Sequence, residues 1–195
     1  MNFIIRTIIS NPSLWHSAVK VAIFRLMGRP EAILETHGIR MKANLDKGKG
    51  VWCSVGGLAY EPEMRDLLLL LKAGDTFVDV GANVGVFTLH GSRQVGPTGT
   101  VLSFEPTSET FTRLNENIQL NGFTNIVARN SAVADKTGEI EFAVCRSNNS
   151  NHIANVELTD EDRKTVKIMK VPLDTIDLVV SSLKLRGAFN FPLIC

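Results

Sequence analysis

The sequence has little cysteine and no excess of charge of either sign. Its three cysteines, Cys53, Cys145 and Cys195, lie far apart, so no CxxC pair is present that could chelate zinc or shuttle electrons. A reducing, cytoplasmic compartment fits this pattern. Lys and Arg number 21 against 20 for Asp and Glu. Because so even a balance creates no field that gathers phosphate backbones, no nucleic-acid partner is predicted.

A long uncharged hydrophobic run, a signal peptide and an internal repeat are also missing. The apolar start from Met1 to Ile9 is broken by Arg6 and has no small-residue cleavage site, and Lys20 and Arg25 interrupt the next apolar run. The four histidines have no ligand spacing, so no metal site is predicted. A chain of 195 residues is long enough for one sizeable hydrophobic core.

The first part of the chain predicts a helix. Pro12 suits its first position and Gly28 its exit. Apolar residues of one face of this helix are Trp15, Ala18, Val19, Ala22 and Leu26. We expect this face to pack against the rest of the protein. The alternative is weak peripheral contact with a membrane surface, because Lys20, Arg25 and Arg29 add positive charge beside apolar residues.

A hairpin is predicted between Ala32 and Leu45, because apolar and polar residues alternate around the turn at His37-Gly38. With the first helix, this hairpin forms an N-terminal cap that we assign to residues 1–59. A helix from Glu61 to Leu71 then opens the main domain, which we assign to residues 60–195.

From Gly74 onward, strands and helices alternate, which is typical of a parallel sheet with crossover helices. The predicted strands are Thr76 to Val80, Thr100 to Phe104, Asn125 to Arg129, Glu139 to Val144 and Val166 to Val171. The predicted helices are Asn83 to Gln94, Ser108 to Leu120 and Thr175 to Leu183. Asn121-Gly122 is a typical left-handed helix stop.

The strongest motif is the run VDVGANVGVFTL, residues 78–89, in which an apolar strand ends in an acid and turns through glycines into a helix. Such a turn lets a ligand approach backbone amides at the helix start. Gly81 and Gly85 are spaced G-x-x-x-G, unlike the G-x-G-x-x-G of dinucleotide-binding proteins. Asp79 would repel a pyrophosphate but attract the ammonium and sulfonium groups of S-adenosylmethionine.

A second acid, Glu105, stands at the end of the next strand, 24 residues after Gly81. In nucleotide-binding units an acid at this place accepts hydrogen bonds from both ribose hydroxyls. When no other motif accompanies it, a glutamate that precedes a proline is more often a solvent-exposed residue than a ligand. The spacing of Glu105 from the glycine turn favours ribose binding.

Three separated stretches resemble the FkbM-type S-adenosylmethionine-dependent methyltransferases: residues 78–89, VLSFEPTSETFTRLNENIQLN at 101–121, and NIVARNSAVADKTGEIEF at 125–142. The similarity runs from about Tyr60 to about Ile176. It implies an α/β fold with a Rossmann-like class I methyltransferase sheet in strand order 3-2-1-4, and S-adenosyl-L-methionine as the cofactor.

The resemblance also implies the cofactor-binding residues, which are Asp79, Gly81, Ala82, Asn83, Gly85, Glu105, Pro106, Ser131 and Ala132. The glycine turn would hold the methionine part, Glu105 the ribose, and Ser131-Ala132 the edge of the adenine. Tyr60 and Glu61 resemble the segment that closes over the cofactor. Alternatives are that Asn83 only caps a helix and that Ser131-Ala132 is a small-residue turn. We interpret Asn115, Asn117 and Asn121 as helix surface and stop signals.

One family feature is missing. In the family an acidic stretch resembling K-I-D-V-E-G, at the end of the fourth strand, is associated with the acceptor site and the base. Residues 171–177 follow the lead-in to that strand, but residues 183–195 carry no acidic side chain. We therefore expect a C-terminally truncated chain with an incomplete sheet, and no catalytic base is identified.

The resemblance implies O-methylation of a hydroxyl on a small-molecule or saccharide acceptor, and leaves the oligomeric state undetermined. Two other functions stay open: a dinucleotide-dependent oxidoreductase of the NAD type, and a non-catalytic module that binds the cofactor without turnover.

Overall fold

The structure, a computed structural model of the chain, describes residues 12–45, 58, 62–145, 152–153 and 166–183. Its helices are α1 (Pro12–Leu26), α2 (Pro62–Leu68), α3 (Val86–Val95), α4 (Ser108–Asn121) and α5 (Ile176–Ser182). The strands are β1 (Glu31–Thr36), β2 (Ile39–Asn44), β3 (Thr76–Val80), β4 (Thr100–Phe104), β5 (Ile126–Arg129), β6 (Ala132–Val133), β7 (Gly138–Cys145), β8 (His152–Ile153) and β9 (Val166–Asp174). Tyr60, Glu61, the predicted boundary at residues 59 and 60, and residues 184–195 lie outside the described residues.

Strands β3, β4 and β5 form a parallel sheet in which β4 lies in the middle. Successive residues of β3 and β4 face opposite sides of this sheet. Phe77 and Val101 pack with α2 and α3 on one side, and Val78 and Leu102 pack with Val179 of α5 on the other. Since both faces are covered, the strands are mostly apolar, and Asp79 in β3 and Ser103 in β4 are buried polar exceptions. This is the predicted Rossmann-like α/β arrangement, and the 3-2-1 part of the strand order is confirmed.

The later strands form a second sheet in the order β6-β9-β7-β8, with a long antiparallel pairing between β7 and β9. Both predicted strands are confirmed, although β9 continues three residues further than predicted, to Asp174. Thr175 follows directly and caps α5, because its side chain accepts a hydrogen bond from Leu178 N. The end of β9 and the start of α5 are therefore joined by a short, well-defined turn.

Helix α1 packs against the predicted hairpin, but with a different face from the one we expect. Ser17 and Val21 are 3% and 2% exposed, and Val21 contacts the buried face of β1 and β2. The residues of the predicted inward face, Trp15, Val19 and Leu26, are 55%, 56% and 90% exposed. The expected packing of Trp15, Ala18, Val19, Ala22 and Leu26 is therefore wrong. Within the described part of the chain, no helix has the length and apolarity needed to cross a membrane.

Helix α3 begins later than predicted. Asn83 has a φ of 51° and Gly85 a φ of 97°, so both residues lie in the left-handed region and cannot belong to a right-handed helix. Gly85 is the N-cap of α3, and no side chain caps the helix start. The interpretation of Asn83 as a helix cap is therefore wrong, and residues 83–85 form a turn between β3 and α3.

Candidate functional site

The predicted cofactor residues meet at the carboxyl ends of the parallel strands. Gly81 N and Ala82 N, just after β3, both donate to Phe104 O at 2.9 Å. Glu105 N, just after β4, donates to Arg129 O at 3.0 Å, at the end of β5. In open α/β sheets this edge is where ligands bind. The order of the strands thus brings together residues up to 48 positions apart along the chain, from Gly81 to Arg129.

Two glycines of the turn have different physical roles. Gly81 has a φ of 81°, and a Cβ atom at this position would meet no atom of the described residues within 4 Å. A Cβ atom at Gly85 would instead lie 2.7 Å from Leu114 Cδ1. Gly85 therefore allows α4 to approach the turn, whereas Gly81 leaves open space beside the backbone, where a ligand could approach.

Glu105 links the glycine turn to the next turn of the chain. Its Oε2 accepts a hydrogen bond from Asn83 N at 3.0 Å, and its Oε1 accepts one from Thr107 N at 2.9 Å. Only 5% of Glu105 is exposed, so the interpretation as a surface charge is wrong. Burial raises the pKa of this carboxyl, and the two backbone hydrogen bonds oppose the shift. A hydrogen bond from the Thr107 side chain also opposes the shift, and a carboxylate with these partners can still accept a further hydrogen bond, such as one from a ribose hydroxyl.

Asp79 lies beneath the turn and is only 1% exposed. Thr88 Oγ1 donates to its Oδ2 at 2.5 Å, and the other oxygen, Oδ1, is buried without a hydrogen-bond partner among the described residues. Burial raises the pKa of Asp79 to about 6, and the negative charge of Glu105 contributes to the shift. A cationic group in the site would therefore stabilise the ionised form of Asp79.

Ser131 and Ala132 connect the end of β5 to β9. The Ser131 hydroxyl donates to Asp174 Oδ2 at 2.7 Å, and Ala132 pairs with Leu173 in the register of β6 and β9. Ser131 is 2% exposed. Ser131 and Ala132 therefore hold the end of β5 against β9 and are not only a small-residue turn. Their contact with adenine stays a prediction.

Asn130 is a site residue that the sequence analysis missed. Its Nδ2 donates to Glu105 O at 2.8 Å and to Pro106 O at 3.0 Å, and its Oδ1 accepts from Ser108 Oγ at 2.9 Å. One side chain thus holds the segment that carries Glu105 in place. Its position directly after the third strand was the available signal, because that is the ligand-binding edge of the sheet.

Asn117 is a second missed residue, and its interpretation as helix surface is wrong because it is fully buried. Its Nδ2 donates to Val84 O, in the glycine turn, at 2.8 Å, and its Oδ1 accepts from Lys42 N at 2.8 Å. One turn further along α4, Asn121 Oδ1 accepts from Arg40 N at 2.9 Å, and its Nδ2 donates to Arg40 O. The side-chain amides occupy the edge of β2 where another strand would otherwise pair.

His37 and His90 contact each other through their rings. The rings of His37 and His90 lie edge to face at 6.2 Å between centroids. Burial lowers the pKa of His90 to about 4, and repulsion by His37 and Arg93 adds to this shift. Over the described ranges, no group of three or more His, Cys, Asp or Glu side chains could hold a metal ion.

Parts of this chain are similar in sequence to known proteins. A family model described as "Methyltransferase FkbM domain" matches residues 79–184, more than half of the chain. "Methyltransferase 1" of Beauveria bassiana (strain ARSEF 2860) is 40% identical over 55 residues, which cover 28% of this chain and 22% of that protein. The match thus spans less than a quarter of this relative's length.

Among solved structures, a SAM dependent methyltransferase from Aquifex aeolicus is 28% identical with a TM-score of 0.33, over 36% of this chain and 38% of that chain. The SAM Dependent Methyltransferase from Agrobacterium tumefaciens is 11% identical with a TM-score of 0.43, over 53% of this chain and 33% of that chain. The family assignment follows from the family model, whose match begins at Asp79 and includes Glu105, Ser131 and Asp174. The chain belongs to the FkbM methyltransferase family.

Proposed function

We propose that this protein is an S-adenosylmethionine-dependent methyltransferase that transfers a methyl group to a hydroxyl of a small molecule or saccharide. The observation that carries the proposal is the pair of buried carboxylates, Asp79 and Glu105, at the tips of neighbouring strands. Burial raises the pKa of both. A positively charged nucleoside relieves this cost, whereas a pyrophosphate would add to it.

The residues of the site fit the cofactor in distinct ways. The open space at Gly81 leaves room for the ligand beside the turn. Glu105 accepts a hydrogen bond from the ribose while its backbone contacts hold it in position. Asp79 acts through its field from beneath the turn, since it is almost fully buried. Ser131 and Ala132 border the adenine. When bound, the cofactor supplies a methyl group on a sulfonium, which is activated for direct displacement.

The methyl acceptor and the cellular location are proposed from the composition of the chain. The balanced charge of the chain gives no attraction for nucleic acid, and this favours a small-molecule or saccharide acceptor. Three widely spaced cysteines favour a cytoplasmic location. We assign no catalytic base. For an alcohol acceptor, a positioned base is expected to remove the hydroxyl proton as the methyl group arrives.

Calorimetric titration of the full chain with S-adenosylhomocysteine and with NAD tests the cofactor. We expect heat and a higher melting temperature with S-adenosylhomocysteine, and neither with NAD. Glu105→Gln should weaken binding tenfold or more, because a buried charged acceptor is lost. The matched control Glu109→Gln, at an exposed residue of the first turn of α4, should bind like the wild type.

Stabilisation by NAD alone would favour the oxidoreductase instead, and no response to either compound would refute both. The non-catalytic alternative is tested separately. A chain that binds S-adenosylmethionine but forms no S-adenosylhomocysteine with any of a panel of sugars and hydroxylated small molecules would contradict the proposed transfer.

A further inference from the structure

Helix α1 has two apolar faces, of which the hairpin covers one. Opposite Ser17 and Val21, an exposed stripe follows the helix at intervals of about one turn. It consists of Trp15, Val19, Ile23 and Leu26, which are 55%, 56%, 48% and 90% exposed. Met27, directly after the helix, is 61% exposed. Large apolar side chains rarely form such a continuous exposed stripe unless another surface covers them.

The charged side chains up to residue 30 all have one sign, which is positive. All 20 acidic residues of the chain lie after residue 30, whereas Arg6, Lys20, Arg25 and Arg29 lie before it. Lys20 Nζ and Arg29 Cζ lie 5.8 and 5.5 Å from the centroid of the Phe24 ring. Arg25 Nε donates to Leu45 O at 3.0 Å. The cations are thus held to the sides of α1 and leave the centre of the exposed stripe apolar.

We propose that the exposed stripe of α1 binds the surface of an anionic membrane, with the helix axis parallel to the surface. Trp15, Val19, Ile23 and Leu26 enter the boundary between headgroups and acyl chains, and Lys20, Arg25 and Arg29 contact anionic headgroups. This is the arrangement of interfacial amphipathic helices. The opposite face of α1 stays on the hairpin, so membrane contact requires no unfolding of the parallel sheet.

Charge distinguishes this occupant from a second copy of the chain. A symmetric dimer would place the same patch on both partners and bring Lys20, Arg25 and Arg29 of one copy towards those of the other. Like charges facing each other across an interface oppose association. A membrane surface containing anionic lipid attracts the same cations and accepts the apolar stripe between them.

Flotation of the full chain with lipid vesicles tests the proposal. We expect binding to vesicles of phosphatidylcholine with phosphatidylglycerol, weaker binding to phosphatidylcholine alone, and a decrease as the salt concentration rises. The double variant Val19→Glu and Leu26→Glu should lower partitioning at least tenfold. Leu70→Glu is the matched control, because Leu70 is also an exposed leucine, at 68%, but lies outside α1. Unchanged melting temperatures would show that both variants fold.

A spectroscopic measurement reports on the stripe itself. Trp15 and Trp52 are the tryptophans of the chain, so Trp52→Phe leaves Trp15 as the only tryptophan, which excitation at 295 nm selects over Tyr60. Its emission should shift to shorter wavelength, and brominated lipid should quench it, more strongly with anionic vesicles than with vesicles of phosphatidylcholine alone. Absence of binding to anionic vesicles would overturn the proposal. It would also be overturned if the wild type formed a dimer that the Val19→Glu and Leu26→Glu variant dissociates, because the stripe would then be a protein interface.

Discussion

Burial changes the role that Asp79 is expected to have from its place in the sequence. As an acid at a strand tip, it predicts a direct contact with a cationic ligand. In the structure it is buried under the turn, accepts one hydrogen bond from Thr88 and has one oxygen without a partner among the described residues. Desolvation therefore dominates its pKa, which rises to about 6. Its ionised form destabilises the protein without ligand, and a cationic ligand would remove part of this cost.

Asp79→Asn should change how stability depends on pH. Because the folded protein binds the Asp79 proton more tightly than the unfolded chain does, the stability that Asp79 contributes is present below pH 3.8 and is lost as the pH rises through about 6. The difference in unfolding free energy between the wild type and Asp79→Asn should therefore shift by about 1 to 3 kcal/mol over this window. Urea denaturation at several pH values measures it, and a constant difference would contradict the pKa shift.

The elements around the turn are coupled through α4. The side-chain amide of Asn117 hydrogen-bonds to Val84 O in the turn and to Lys42 N in β2. Arg113, also on α4, forms ion pairs with Glu31 of β1 and with Glu116. Lys42 belongs to the same ion-pair cluster through Glu31. The hairpin and the glycine turn thus rest on one helix face. Because the ion pairs are partly exposed, the buried amide contributes more to this coupling than they do.

Asn117→Ala should destabilise the protein by about 2 to 4 kcal/mol, because it leaves Val84 O and Lys42 N without their partner and opens a cavity. Denaturant titration gives the loss, and hydrogen exchange should show faster exchange at Lys42 N. Asn115→Ala is the control, since Asn115 Nδ2 donates only within α4, to Phe111 O. Its effect should be within about 0.5 kcal/mol. Equal losses in both variants would contradict the coupling.

Over the whole molecule, two buried groups have opposite effects on the response to acid. Burial lowers the pKa of His90 to about 4, so the stability that His90 contributes is present above pH 6.5 and is lost as the pH falls towards 4. Asp79 has the opposite dependence over nearly the same range. The two effects partly cancel in the wild type.

We therefore expect the wild type to have a flatter profile of unfolding free energy between pH 4 and 6.5 than either single variant. His90→Gln should gain stability, relative to the wild type, as the pH falls through this range, and Asp79→Asn should lose it. Each divergence should reach about 1 to 3 kcal/mol. Parallel profiles for the three proteins would show that neither group titrates as proposed.

Several features of the fold and site could be predicted from the sequence because their signals are local. A strand buried on both faces is mostly apolar, and this pattern predicts β3 and β4 at the residues where the structure has them. The acid at the end of the next strand identified Glu105, since parallel strands end at one edge of a sheet. The end of α4 is predicted at Asn121-Gly122 because glycine readily adopts the left-handed conformation of a helix stop, and the φ of Gly122 is 68°.

Other features depended on contacts that no local pattern contains. Helix α1 carries apolar residues on both faces, so only the position of the hairpin decided that Val21 is buried and Val19 is exposed. Asparagine is usually a surface residue in a helix. Asn117 is buried because its amide hydrogen-bonds to Val84 O in the glycine turn and to Lys42 N in β2. The amino-acid sequence by itself determined the longer strands, but not the two-residue strands β6 and β8, together with the glycine turn and the two acids. The tertiary structure alone decided which face each helix presents, because a side chain's burial depends on residues distant in the chain.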